Sequence, residues 1–161
     1  MMEIVVDTDV FSTFAKVNKL RLLSKLFSKS RILICPSVNL EIEKGVELGL
    51  LRYSRPPHFV VTKLVARERA MAKEVKQASG LGAGDAECLA VARSRGCLLL
   101  TNDRQAEKAA DSLSIDHLNL PLLLRELWRA DVMSKSRVAK LIDEIERKDN
   151  VTLKNKELIF R

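Results

Sequence analysis

Short runs of consecutive apolar residues, each followed by a helical pattern, recur along this chain, and that alternation limits its fold more than any other feature. Ile4-Val5-Val6, Ile32-Leu33-Ile34-Cys35 and Cys97-Leu98-Leu99-Leu100 are apolar at every position, so as strands they would be buried on both faces. Strands of that kind belong to parallel sheets, whose neighbouring strands need crossover connections that are usually helices. The pattern predicts strands over 3–6, 32–35, 59–61, 97–100 and 115–118. Helices are expected over 8–17 and 20–28, through the stripe Val38, Ile42, Val46, and over 65–78, 85–95, 103–112, 121–129 and 134–148. Gly96 falls just past the end of one of them, and 53–58 with its Pro56-Pro57 pair reads as a loop. The expected class is α/β, a mainly parallel sheet with helices on both faces.

At 161 residues with a hydrophobic share of 47%, the chain is read as a single domain over 1–161, its helix and tail from about 131 onward being candidates for a subunit interface. No eighteen apolar residues run together and no leader pattern opens the chain, so a cytoplasmic protein with no membrane attachment is expected. Cys35, Cys88 and Cys97 form no Cys-x-x-Cys pair and read as small core hydrophobes. A formal charge of +7 favours a polyanionic partner.

On this reading four acids fall where a parallel sheet binds ligands, at and beyond the carboxyl ends of its strands. Asp7 closes the first strand, Asp103 follows the fourth, Glu41 lies about a turn and a half into the helix after the second, and Asp85 opens a helix. Asp after a strand is also a common helix N-cap, which explains each residue singly but not their joint placement. Carboxylates gathered at one rim repel and raise one another's pKa values, so Mg²⁺ or Mn²⁺ is the economical reason for such a cluster.

The segments that carry these acids are Ile4-Val5-Val6-Asp7-Thr8-Asp9, Pro36-Ser37-Val38-Asn39-Leu40-Glu41-Ile42, Gly84-Asp85-Ala86-Glu87 and Leu100-Thr101-Asn102-Asp103. In this order the set resembles the PIN-domain nucleases, in a prokaryotic branch close to the virulence-associated toxin ribonucleases. The resemblance, over residues 3 to about 130, implies a three-layer α/β/α sandwich with a sheet of about five strands. It also implies hydrolysis of RNA and Asp7, Glu41, Asp85 and Asp103 as catalytic, metal-binding acids. Thr101 matches the family's supporting hydroxyl, and a homodimer and a protein antitoxin are the partners to expect. Asp9 stands where Asn or Ser is more usual and Glu87 adds an acid two residues past Asp85. Each reads either as a secondary ligand or as a solvated helix residue.

Substrate contacts are sought among Lys16, Lys19, Arg21 and Lys25, in an acid-free stretch, and in the loop Arg52, Tyr53, Arg55 with Phe59, whose aromatics could stack on bases. A solvated helix face and a surface turn explain these residues equally well. Gly80, Gly82 and Gly84 read as a flexible lead into the third motif, and Trp128 as a core or interface residue. The leading expectation is a metal-dependent endoribonuclease, acting as a toxin or in RNA processing. Two alternatives stay open. In a haloacid-dehalogenase-type phosphatase Asp7 would be the nucleophile of Asp7-Thr8-Asp9, and a noncatalytic RNA-binding protein would keep the fold without turnover.

Overall fold

A computed structural model describes residues 2–161. Five strands form one sheet: β1 (Ile4–Val6), β2 (Ile32–Ile34), β3 (Phe59–Val61), β4 (Leu98–Leu100) and β5 (His117–Leu118). They are ordered β3-β2-β1-β4-β5, and every pair is parallel. The expected α/β sandwich with a five-stranded parallel sheet is the fold that forms. β1 sits at the centre, with Ile4, Val5 and Val6 all buried, because an apolar run with no polar alternation has no face to offer water.

Among the described residues eight α-helices complete the layers: α1 (Thr8–Lys16), α2 (Leu20–Leu26), α3 (Pro36–Glu47), α4 (Ala66–Ser79), α5 (Ala83–Arg95), α6 (Arg104–Ser112), α7 (Leu120–Arg129) and α8 (Lys135–Lys148). α5 lies on β1 and β4 and packs against α4 and α6, while α1, α2, α7 and α8 pack among themselves. α3 touches both α1 and α5. Gly96 ends α5 in the left-handed conformation, φ +66°, and so turns the chain directly into β4. Of the stripe expected on α3, Val38 and Ile42 are buried but Val46 is exposed, since the last turn of the helix runs past the edge of the core. Among the described residues no helix is long and apolar enough to cross a membrane.

The connections place the switch of strand order between β1 and β4. From β1 the chain moves outward through β2 to β3, then returns through α4 and α5 to β4 on the other side of β1 and continues to β5. Where neighbouring strands send their chains in opposite directions, their carboxyl ends leave a crevice, and ligands of parallel sheets bind there.

The tail docks on its own chain. The indole N–H of Trp128 donates to the carbonyl of Ile159 at 2.7 Å, Ile159 is buried, and Glu146 accepts from the backbone N–H of Leu153 at 2.9 Å. A Trp128→Phe chain keeps the aromatic packing and loses the donor. It is expected to be less stable by about 1 kcal/mol in urea unfolding, with faster proteolysis in the tail after Lys148 than in the parent chain.

Candidate active site

Asp7 and Asp103 open from that crevice. The backbone N–H of Asp7 donates to the carbonyl of Leu100 at 3.0 Å, so the β1–β4 pairing carries on to the first residue beyond β1. The hydroxyl of Thr101 donates to Asp7 Oδ2 at 2.7 Å and accepts the backbone N–H of Asp103 at 3.2 Å. Each Asp also caps the helix that follows it: Asp7 Oδ1 accepts from Val10 N at 2.8 Å and Asp103 Oδ1 from Ala106 N at 2.9 Å. Capping and ligand binding are therefore not alternatives at these positions. One oxygen serves the helix, and Oδ2 of Asp103 takes no hydrogen bond among the described residues.

Glu41 and Asp85 approach from α3 and α5. Thr8 donates its hydroxyl to Glu41 Oε2 at 2.7 Å, which draws the second-motif acid toward the start of α1. Gly84 makes room for it: a Cβ there would lie 2.7 Å from Glu41 Oε1 and 3.3 Å from Val38 Cγ2. The glycine run expected to be flexible thus ends in a close packing contact between α3 and α5, because only a residue without a side chain lets the two helices approach this far. Asp85 corrects a second expectation. α5 begins at Ala83 with Gly82 as its N-cap, so Asp85 stands inside the first turn and caps nothing.

Charge ties these acids together. Burial, with Asp7 only 2% exposed, pushes its carboxyl up to about 7, against the lowering effect of the Thr101 and Val10 hydrogen bonds and with added repulsion from Asp9 and Asp85. Desolvation also raises Asp85, to about 6, followed by the charges of Asp103, Asp9 and Glu41. Asp9 is raised by desolvation and by Asp103 and Glu41. Asp7, Asp9 and Asp85 thus each sit in the field of other acids at this rim, yet among the described residues no three acid, His or Cys side chains already surround a single point. An open, all-oxygen set suits Mg²⁺ or Mn²⁺ rather than a closed structural site, since Mg²⁺ keeps several waters and takes one or two carboxylates along with substrate phosphate.

Other sequence candidates are used differently. Glu87 accepts the backbone N–H of Ser37 at 2.8 Å and the Ser37 hydroxyl, so it caps the first turn of α3 from across the helix interface. Lys16 pairs with Asp149 at 2.7 Å, which also accepts from Thr13 at 2.7 Å. This pairing leaves Lys16 without a free charge for phosphate. Lys19, Arg21, Lys25, Arg52 and Arg55 are exposed. The aromatics of the basic loop are not base platforms: Phe59 is buried and Tyr53 half-buried, both edge-on to Phe11 with centroids 5.8 and 5.0 Å away. Asp149, which adds to the field on Asp9, was not visible in the sequence, since nothing local marks a helix-end residue as folding back onto α1.

A family model described as PIN domain matches residues 3–158. The chain belongs to the PIN-domain family. A comparison with curated proteins finds no match. Among solved structures this PIN domain is similar to the crystal structure of VapBC2 from Rickettsia felis bound to a DNA fragment from their promoter, at 16% identity and TM-score 0.52, over 73% of this chain and 98% of that one. It is also similar to PAE2754 from Pyrobaculum aerophilum, at 18% identity and TM-score 0.45, over 87% and 96% of the two chains. At such identities the VapBC2 likeness speaks for the fold alone. Family membership places this PIN domain among nucleases that typically depend on divalent metal.

A carboxyl whose pKa is higher folded than unfolded costs nothing while protonated in both states and costs most once it is ionised in both. For Asp7 the cost therefore sets in above about pH 4 and is complete above about 7. In chelator the chain should lose thermal stability as pH rises through this window. Asp7→Asn, which keeps a capping oxygen, should unfold at a higher temperature than the parent at pH 8 but not at pH 4. A variant less stable than the parent at pH 8 would contradict the assigned burial cost.

Proposed function

We propose that this PIN domain is a metal-dependent endoribonuclease, with Asp7, Glu41, Asp85 and Asp103 as the acids that hold the ion. The observation that carries the reading is the gathering of acids from four segments at the switch point of the sheet, where Thr101 bonds both Asp7 and the Asp103 amide, and Glu41 lies between Thr8 and the Gly84-Asp85 turn. A bound Mg²⁺ or Mn²⁺ would supply Lewis-acid stabilisation of phosphate charge and lower the pKa of an attacking water. Asp7 and Asp103 are held by Thr101 and by the helices they cap, so their free lone pairs are aimed in advance. Thr8 and Gly84 fix Glu41 from two sides. Without a cation Asp7 holds its proton up to near neutral pH, so loading the site displaces that proton. Asp9, on the first turn of α1, adds to the field and is assigned a supporting role.

RNA as substrate is supported by the family, the basic net charge and an open rim at which unpaired nucleotides would be accessible. The likeness to VapBC2 supports a role as the toxin of a toxin–antitoxin pair, restrained by a protein partner. A phosphatase in which Asp7 is the nucleophile is disfavoured, because the PIN-domain model matches residues 3–158 and Glu41, which Thr8 draws toward the start of α1, has no role in that chemistry.

Cleavage of cellular RNA pools with Mg²⁺, Mn²⁺ or chelator tests the proposal. Asp7→Asn and Asp103→Asn should each abolish metal-dependent cutting while circular dichroism stays that of the parent. Thr101→Val, which removes only the orienting hydroxyl, should weaken metal affinity by roughly 10–100-fold. Retained cutting in both Asn variants would overturn the assignment.

A further inference from the structure

Next to Asp103 a cleft of about 880 Å³ opens between the starts of α6 and α7 and the C-terminal segment. Its basic side chains are Arg104, Arg125, Lys154 and Arg161, against one acid, Glu107. Among the described residues none of these four cations has a carboxylate partner, whereas Lys16, Arg31, Arg95 and Lys156 are all paired. Glu107 makes no ion pair with any of the four and accepts instead from the Asn119 side chain at 3.1 Å, so the lining keeps an excess of positive charge. The Nε–H of Arg125 is buried and has no acceptor. The half-buried Arg125 side chain lines the cleft and makes no ion pair among the described residues, so its guanidinium charge is left for an anion that enters there.

The polar neighbours limit what that acceptor is. Asn102 and Asn119 place their side-chain oxygens on the backbone N–H groups of Leu120 and Leu122, so they build the start of α7. Beside Thr152 and Asn155, what the cleft offers a ligand is charge on guanidinium and ammonium groups, which suits a repeated anion. Asn102 and Arg104 are the residues on either side of Asp103, so the basic lining starts where the acidic rim ends.

We propose that this cleft binds the phosphodiester backbone of a single-stranded nucleic-acid segment next to the bond presented to the acids, through Arg104, Arg125 and Lys154. That the segment lies next to a bond to be cut rests on the nuclease reading above; its binding does not.

The test is fluorescence anisotropy of a labelled single-stranded oligoribonucleotide of about a dozen nucleotides, within the usual span of such sites, on the full chain in chelator, so that no cleavage is needed. Lys154→Glu, at an exposed position, and Arg125→Gln should each weaken binding of unrelated sequences alike. Each should also reduce the slope of log affinity against log salt by about 0.7 per lost phosphate contact. Lys73→Glu, at an exposed position on α4 outside the cleft lining, should leave both unchanged. The proposal is overturned by wild-type affinity and slope in both cleft variants. Failure of the parent chain to bind overturns it too, as does a cleft that selects a poly-glutamate peptide while its variants bind RNA normally. Cleft-dependent binding by a chain that cuts no RNA would sink the nuclease reading and leave the cleft assigned.

Discussion

The hydroxyl of Thr101 joins two carboxylate-bearing segments that would otherwise repel. It has one proton to give and lone pairs to receive, and both are used: the proton goes to Asp7 and a lone pair takes the Asp103 amide. Since Thr101 is fully buried, water cannot take over either bond. The β1–β4 pairing puts the two strand ends side by side, and the threonine converts that adjacency into a fixed relation between the acids that follow them. The arrangement of the rim, from the capped helices to the placement of Glu41 against Gly84, is built outward from this junction.

Helix capping and charge clustering cooperate here. A buried carboxylate is expensive, and amide donors from the first turn of a helix relieve part of that expense while holding the group in one rotamer. Glu87 applies the same device between helices, bonding to the start of α3 from α5 and so steadying the helix that carries Glu41. The hydrogen bonds that cap these helices also restrict the carboxylates that accept them.

Most of the fold was legible because its signals are local. Consecutive apolar residues marked β1, β2 and β4, and the spacing of buried positions with Gly96 at a helix end marked α5. Asp7 and Asp103 could be placed at one rim from strand ends alone. Long-range contacts were not legible. No pattern around Gly84 foretells that it faces Glu41, none around Glu87 that it bonds Ser37, and none around Asp149 that it takes Lys16. Tyr53 and Phe59 were misread as surface aromatics because a loop rich in Arg and Pro looks polar, while their rings pack on Phe11. The tail was legible only as the apolar run Leu158-Ile159-Phe160, since nothing in that run shows that a distant indole holds the Ile159 carbonyl.

The thiols behind the sheet have a consequence of their own. Cys35, Cys88 and Cys97 are free and buried, Cys88 points at the carbonyl of Val6, and burial pushes the Cys97 thiol up to about 11. An alkylating reagent must reach the sulfur, and all three are buried, so none is open to attack while the core is closed. They are built-in reporters of opening: the rate at which iodoacetamide marks each one measures how often its part of the interior comes apart, strand by strand, without any added label.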